Sequence, residues 1–334
     1  MSDWKEALNK TLNKWDKRFI ITSPDVDGLL SSAILQEKYD SKVIGCYTTK
    51  HLLLFDGQKI SDAVNALWLD HDISHPSILC IGQHLTLTKK SDKLPRRNSA
   101  SFNPNVHYKQ SFEDSFKGTR GRGRDKYPFG TCHLLLHLME GTHLNKLEIA
   151  MLAHADGTFA NMCSYEENCN IWRDLMFMDN QKFNDIQGYV KNVKNNCGDI
   201  SDTLGYHRKF IKELIAAGIR KPSSQTTKRA LPEKFDGMTG HQAISYTNKM
   251  RNETFLNKLN QVVKVIGSNT RFFIPICGDI SSIISGNVEK DFPDKFTKLS
   301  FDDKMIDEKI FSHAITGITM LKFTVMNEED FPEQ

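Results

Sequence analysis

Two aspartates one residue apart, in the stretch IITSPDVDGLLSSAIL, are the residues of this chain whose type and spacing most suggest chemistry. Asp25 and Asp27 follow an apolar run and precede Gly28, two serines and a helical pattern. Two carboxylates so close on a short loop repel each other and gain nothing from apolar burial. We therefore expect a positively charged group between them.

The elements that must position these carboxylates read as an α/β fold with a doubly wound, mostly parallel sheet. The pattern predicts strands at 18–22, 43–47, 66–69 and 78–81, a helix at 28–39 and a helical stretch at 60–65. In such sheets the ligand lies beyond the carboxyl ends of the strands. Asp25, Asp27 and Asp70 all fall at predicted strand ends.

The aspartate pair allows three other interpretations. A calcium loop needs D-x-D-x-D-G between two helices, whereas here glycine follows the second aspartate and a strand precedes the first. The haloacid dehalogenase pattern runs its strand straight into the first aspartate, whereas Ser23 and Pro24 intervene here. A plain turn with a helix N-cap is the third interpretation, and it requires no cation.

The ordered set of motifs resembles the DHH phosphoesterase superfamily, which includes RecJ exonucleases, oligoribonucleases and cyclic-dinucleotide phosphodiesterases. The similarity covers about residues 18–165, beginning with the D-x-D-G of Asp25 and Asp27. Asp70, in NALWLDHDISH, stands where that family has its second motif. The matches that follow are Gly82-Gln83-His84 in the place of Asp-His-His, Asn103-Pro104 after the triad, and Asp156 in LAHADGTFAN as the fourth motif.

This resemblance implies a site with two Mn²⁺ or Mg²⁺ ions, held by hard oxygen ligands, which hydrolyses a phosphodiester. Asp70 and His84 would be the catalytic residues, and His84 and Asn103 would contact substrate. Gln83 stands where the family has a metal-binding histidine, so one metal site is expected to be weak. The metal ligands implied are Asp25, Asp27, Asp70 and Asp156, with His71 as a substitute imidazole.

The alignment also allows a second register. Asp70-His71-Asp72 can itself be the altered triad, in which case Asp56 would be the second-motif aspartate and GQH would lie beyond the site. We prefer the first register because the distance to Asn103-Pro104 suits it better. Asp70 is a ligand in both.

A cationic insertion at 88–126 breaks the α/β pattern, with eleven Lys and Arg residues against four acidic ones. Arg120, Arg122 and Arg124 alternate with glycine, which would let the backbone lie close to phosphates. We expect these arginines to bind single-stranded nucleic acid, and the alternative is a solvated loop. His133 and His137 have the spacing of zinc ligands, although a packed helix explains them as well.

Three regions are predicted over the 334 residues: a DHH-like domain at 1–164, a helical connector at 165–222 and a smaller α+β domain at 223–334, faintly similar to a DHH-associated domain. Residues at the amino terminus predict an amphipathic helix docked on the first domain. The seven scattered cysteines fit reduced thiols and a cytoplasmic protein. No membrane span is predicted, and the sequence does not determine the oligomeric state.

The leading functional prediction is metal-dependent hydrolysis of single-stranded nucleic acid or short oligonucleotides from an end, as in an exonuclease. One alternative keeps this hydrolase site but takes cyclic or linear dinucleotides, or other small phosphate compounds. The other is a catalytically impaired DHH-like protein that binds nucleic acid without cutting it. The net charge of +3 does not distinguish these, so the position of the basic residues has to carry the argument.

Overall fold

The structure is a computed structural model that describes residues 3–87, 97–111, 115, 125–141, 143–195, 213, 216, 244, 246–247, 249–272, 274, 278–291, 310–315, 321–326 and 331. The chain divides into two compact units, each discontinuous in sequence. The sheet unit comprises Met1–Thr22, Lys42–Tyr127 and Ile280–Gln334, and the helical unit comprises Ser23–Ser41 and Pro128–Asp279. The predicted regions were continuous, and the predicted boundary at 222 lies outside the described residues.

The sheet unit is built on a six-stranded, mostly parallel sheet with the strand order β5-β4-β1-β2-β3-β6. The pairs β5/β4, β4/β1 and β1/β2 are parallel, and the pairs β2/β3 and β3/β6 are antiparallel. The strands are β1 Phe19–Thr22, β2 Lys42–Tyr47, β3 His51–Phe55, β4 Leu67–Leu69, β5 Leu79–Ile81 and β6 Ile280–Ser285. The prediction of an α/β fold with a mostly parallel sheet is therefore confirmed.

Strands β1, β4 and β5 end level with one another. Thr22 pairs with Leu69, and Leu69 pairs with Ile81, so the last residues of three neighbouring parallel strands lie side by side. Asp70 and Gly82 directly follow β4 and β5. The register thus brings the beginnings of two predicted motifs to the same edge of the sheet.

The core of the sheet unit joins segments from both ends of the chain. Trp68 of β4 packs against Tyr47 of β2 and against Phe311 and Phe331, with ring centroids 5.3, 5.5 and 6.4 Å away. Phe311 lies in a second, three-stranded sheet with the order β7-β9-β8. Its strands are β7 Asn287–Asp291, β8 Ile310–Ile315 and β9 Leu321–Val325.

Short helices complete the sheet unit. The predicted amphipathic helix is α1, Asp3–Asn13, which buries Trp4, Leu8 and Leu12. Its Thr11 hydroxyl donates to the carbonyl of Ala100, which docks the helix on the sheet unit as expected. Among the residues that the structure describes in this unit, the other α-helices are α3 Ile60–Val64 and α4 Pro104–His107.

The helical unit places α2 against α5, α6 and α10. Its α-helices with described bounds are α2 Val26–Tyr39, α5 Thr131–Leu134, α6 Lys146–His154, α7 Thr158–Ser164, α8 Glu166–Met176, α9 Gln181–Asn195 and α10 Asn252–Asn269. The helix expected around His133 and His137 is broken, because α5 ends at Leu134 and a 3-10 turn follows at Leu136–Leu138. Within the described ranges, no helix has the length and apolar character that crossing a membrane requires.

Candidate functional site

The turn after β4 holds Asp70 at the edge of the sheet. Asp70 has a φ of 61°, and its backbone N–H donates to the carbonyl of Ile81 at 2.9 Å. The side chain is buried, and its Oδ1 accepts a hydrogen bond of 3.2 Å from the Gln83 amide Nε2. An amide donor therefore lies against this oxygen, at the triad position where the family would place a metal-binding imidazole.

Asp72, two residues further on, is the centre of a buried polar cluster. Its Oδ1 accepts from Arg97 Nη1 at 2.8 Å and from Asn103 Nδ2 at 2.6 Å. Its Oδ2 accepts from the backbone N–H of His84 at 3.1 Å and lies 3.4 Å from the ring nitrogen Nδ1 of His84. Burial alone raises the pKa of Asp72, but the contacts with His84 and Arg97 outweigh it and hold the pKa well below its usual range.

Gly82 makes room for this carboxylate. A Cβ at position 82 would lie 2.5 Å from Asp72 Oδ2 and 2.6 Å from the carbonyl oxygen of His71. The Asp72 carboxylate therefore fills the space that a side chain at position 82 would need. In the resemblance to the DHH family, residue 82 is where the triad aspartate is missing, and an aspartate from the neighbouring strand end takes up that space.

Asn103 holds the cluster together rather than presenting a free amide. Its Oδ1 caps α4 by accepting from the backbone N–H groups of Asn105 and Val106, at 2.7 and 3.3 Å. Its Nδ2 donates to Asp72 and, at 2.8 Å, to the carbonyl of His84. The structure thus gives Asn103 a positioning role, and its predicted contact with substrate stays a prediction.

His71 lies among aromatic rings, and Asp56 lies near a lysine of β2. The buried His71 ring packs edge-on against Tyr47 and Trp68, with centroids 5.0 and 6.4 Å away. Asp56 follows β3, which is antiparallel to β2, and lies 3.9 Å from Lys42 at the start of β2. Asp56 therefore lies at the opposite end of the strands from Asp70. This placement argues against the second alignment, in which Asp56 would be the second-motif aspartate.

In the helical unit, Asp25 is the N-cap of α2. Its Oδ1 accepts from the backbone N–H of Gly28 at 2.9 Å and from the Ser23 hydroxyl at 2.7 Å. The side chain is buried. The turn-and-cap interpretation of this residue is therefore correct as a description of its geometry, whether or not the carboxylate has a further role.

Asp27 ties α2 to the beginning of α5. Its Oδ2 accepts from the backbone N–H of Thr131 at 2.7 Å, and its Oδ1 accepts from that of Cys132 at 2.8 Å. A Cβ at Gly130 would lie 2.7 Å from Asp27 Oδ1, so only glycine allows this close approach. Both carboxylate oxygens of Asp27 are thus used to hold the fold of the helical unit.

Asp156 and the two histidines of the zinc interpretation also lie in the helical unit. Asp156 is half-buried and has a φ of 45°, between α6 and α7. His133 Nδ1 accepts from the Gly130 backbone N–H at 3.1 Å, and His137 Nδ1 lies 3.0 Å from the Leu134 carbonyl. Burial lowers the pKa of His133 to about 4, although Gly130 and the charge of Asp156 act in the opposite direction. These contacts favour packed side chains over zinc ligands.

The residues of each unit were tested against the two-metal centre that the resemblance implies. In either unit, the described side chains include no group of three or more His, Cys, Asp or Glu residues placed to hold a metal ion. Asp27 gives both oxygens to backbone amides, and Asp70 accepts an amide donor. Neither unit by itself therefore fits the predicted Mn²⁺ or Mg²⁺ centre.

Comparisons of the chain with protein-family models, curated proteins and solved structures find no match. The DHH resemblance therefore stays a prediction that depends on the motifs alone. Arg120, Arg122 and Arg124 lie outside the described residues, so their predicted contact with nucleic acid also stays a prediction. Function has to be argued from the polar cluster around Asp72.

Sequence reasoning missed two members of this cluster. Asp72 was considered only as part of an alternative triad, and Arg97 was counted only among the charges of the basic insertion. The available signal was the missing carboxylate at Gly82, since a lost charge in a motif invites a search for a replacement nearby. Arg97 had no comparable signal, because its partner is 25 residues away in sequence.

Proposed function

We propose that this protein binds single-stranded nucleic acid or short oligonucleotides through their phosphates, on a DHH-like domain whose metal-dependent hydrolysis is weak or absent. The hydrogen bond from Gln83 Nε2 to Asp70 Oδ1 is the observation that supports weak or absent hydrolysis. A two-metal centre needs carboxylate oxygens and neutral lone pairs that face the ions. The N–H of Gln83 that lies against Asp70 presents a hydrogen-bond donor at this position, whereas a metal ion requires a lone pair there.

The cluster around Asp72 supports a role in recognition. Asp72 orients the His84 ring through Nδ1, and the His84 side chain is 33% exposed. A positioned imidazole at the carboxyl end of a parallel strand is suited to contact a phosphate oxygen of a ligand. The cationic segment at 88–126 would add a sequence-independent attraction for the phosphate backbone.

Fluorescence anisotropy with end-labelled strands tests this function. In EDTA, we expect the full chain to bind single strands of DNA or RNA more tightly than duplexes, with affinity falling as salt increases. Replacing Arg120, Arg122 and Arg124 by Gln should weaken binding at least tenfold. Matched replacement of three exposed lysines of the amino-terminal segment, Lys10, Lys14 and Lys17, should change it little. Absence of binding in EDTA, or equal losses in both variants, would contradict the proposal.

Hydrolysis remains a second candidate function, favoured by the order of the motifs along the chain. Asp25 and Asp27 follow β1 in sequence, and Asp70 follows β4. Incubation with Mn²⁺ and labelled single strands, duplexes or dinucleotides tests it, with Asp27→Asn as the comparison. Cleavage by the native chain that disappears in Asp27→Asn would establish hydrolysis. If only dinucleotides are cleaved, and replacing the three arginines leaves the rate of cleavage unchanged, the small-substrate alternative is favoured.

A further inference from the structure

Arg97 is a buried cation whose guanidinium group is only partly hydrogen-bonded by the described residues. Its side chain is only 7% exposed, and Nη1 donates to Asp72 Oδ1 at 2.8 Å. Its other two nitrogens, Nε and Nη2, are buried and have no hydrogen-bond partner among the residues that the structure describes. One nitrogen of the guanidinium is therefore satisfied by the fold, while the remaining donors are turned elsewhere.

Leaving these donors unsatisfied is costly. A buried donor without an acceptor bears the full desolvation cost of the group, and this cost is larger for donors on a charged group. Such groups in native proteins are usually explained by a missing partner, such as a water molecule or an ion. Nε–H and one N–H of Nη2 point from the same side of the planar guanidinium, which is the geometry that grips two oxygens of a carboxylate or phosphate.

The surroundings of Arg97 hold this edge in place. Asp72 fixes the guanidinium through Nη1, and Asp72 is itself fixed by Asn103 Nδ2 and the His84 backbone N–H. Asp72 offsets the charge of Arg97, so an anion would be bound chiefly by the two directed hydrogen bonds. A preorganised fork of this kind loses little side-chain entropy on binding.

We propose that the Nε–Nη2 edge of Arg97 is a subsite for a phosphate group. Its ligand is either the terminal phosphate of a short oligonucleotide or free inorganic phosphate, which share the same oxyanion chemistry. The oligonucleotide form of this inference rests on the proposed function, since it makes the subsite the place where a strand end is held.

Isothermal titration calorimetry of the full chain tests the subsite directly. Sodium phosphate is titrated into the native chain and into Arg97→Lys, which keeps the charge and loses the fork. We expect the native chain to bind phosphate and Arg97→Lys to bind it about tenfold more weakly, as the loss of one charge-assisted hydrogen bond predicts. Arg18→Lys is the matched control, because Arg18 also lies in the sheet unit and stacks over Trp15, 5.1 Å from the ring centroid.

The same titration separates the two ligands. A dinucleotide with a terminal phosphate that binds more tightly than its dephosphorylated form, with the advantage lost in Arg97→Lys, identifies a strand end. Binding of inorganic phosphate alone supports the subsite with the free anion as its ligand. No phosphate binding by the native chain, or equal binding by native and Arg97→Lys, overturns the proposal and leaves water as the partner of this edge.

A measurement on the native chain covers the case in which Arg97→Lys does not fold. Hydrogen exchange of the segment 97–103 should slow in phosphate relative to chloride at equal ionic strength, since the ligand would restrain Arg97. Unchanged exchange would count against the subsite. Failure of the native chain to bind strands in EDTA, with phosphate binding intact, would instead overturn only the proposed function.

Discussion

At the scale of single residues, the close contact between Gly82 and Asp72 explains how the polar cluster is built. Position 82 is where the proposed alignment places a triad aspartate, and the Asp72 carboxylate occupies the space that a side chain there would need. Asp72 is hydrogen-bonded to Arg97 and Asn103. We propose that this cluster serves the recognition of a ligand and not hydrolysis.

Gly82→Ala should destabilise the protein. The new methyl group would lie 2.5 Å from Asp72 Oδ2 and 2.6 Å from a backbone oxygen, so the cluster must shift. Crowding of this kind costs about 1 to 3 kcal/mol. Urea unfolding measures the effect, with Gly188→Ala in α9 as control, because a Cβ there meets nothing within 4 Å. The control should be neutral or slightly stabilising. Equal stability of Gly82→Ala and the native chain would show that Asp72 does not occupy this space.

His133 should make the protein less stable in acid. Its pKa is lowered by burial to about 4, so between pH 6.5 and 4 the unfolded chain takes up a proton that the folded chain does not. Stability is therefore lost as the pH falls through this window, by about 3 kcal/mol in total. Urea unfolding at several pH values should show a shallower dependence for His133→Gln. Identical slopes for the two proteins would mean that His133 is not buried in its neutral form.

At the scale of elements, the sequence predicted the parallel strands and α2 well. Arg18–Thr22 was expected and Phe19–Thr22 is observed, because an apolar run followed by turn residues is a strong strand signal. Strand β3, HLLLF, was missed. Strand β3 pairs with the adjacent β2, but its second partner, β6, lies more than 200 residues away, and no local pattern indicates that pairing. The Arg97–Asp72 contact escaped prediction for the same reason.

The connection between α2 and α5 gives a prediction at this scale. Asp27→Ala should cost about 3 kcal/mol, because two buried backbone N–H groups, on Thr131 and Cys132, lose their acceptor. Asp25→Ala should cost about 1 kcal/mol, which is typical of a lost N-cap. Urea unfolding of the two variants compares them. A cost for Asp27→Ala no larger than that for Asp25→Ala would show that the side chain of Asp27 does not anchor α5.

At the scale of the whole molecule, the carboxyl-terminal region completes the sheet unit instead of forming a domain of its own. Strand β6 extends the main sheet, and Phe311 and Phe331 pack against Trp68. Phe311 is 4% exposed, and Phe311→Ala should therefore cost about 3 to 5 kcal/mol. Ile283→Ala in β6, where the side chain is 39% exposed, should cost less than half as much. Tryptophan fluorescence during urea unfolding reports both, and similar costs would contradict the shared core.

We propose that the chain binds nucleic acid without needing a metal ion and does not cut it. The most direct measurement mixes the full chain with an end-labelled single strand, in EDTA and in Mn²⁺, and follows anisotropy and strand length in the same samples. We predict equal binding in the two conditions and a strand that stays intact over hours. If binding requires Mn²⁺, or if the strand is shortened by the native chain but not by Asp27→Asn, the proposal is wrong and the hydrolase function is favoured instead.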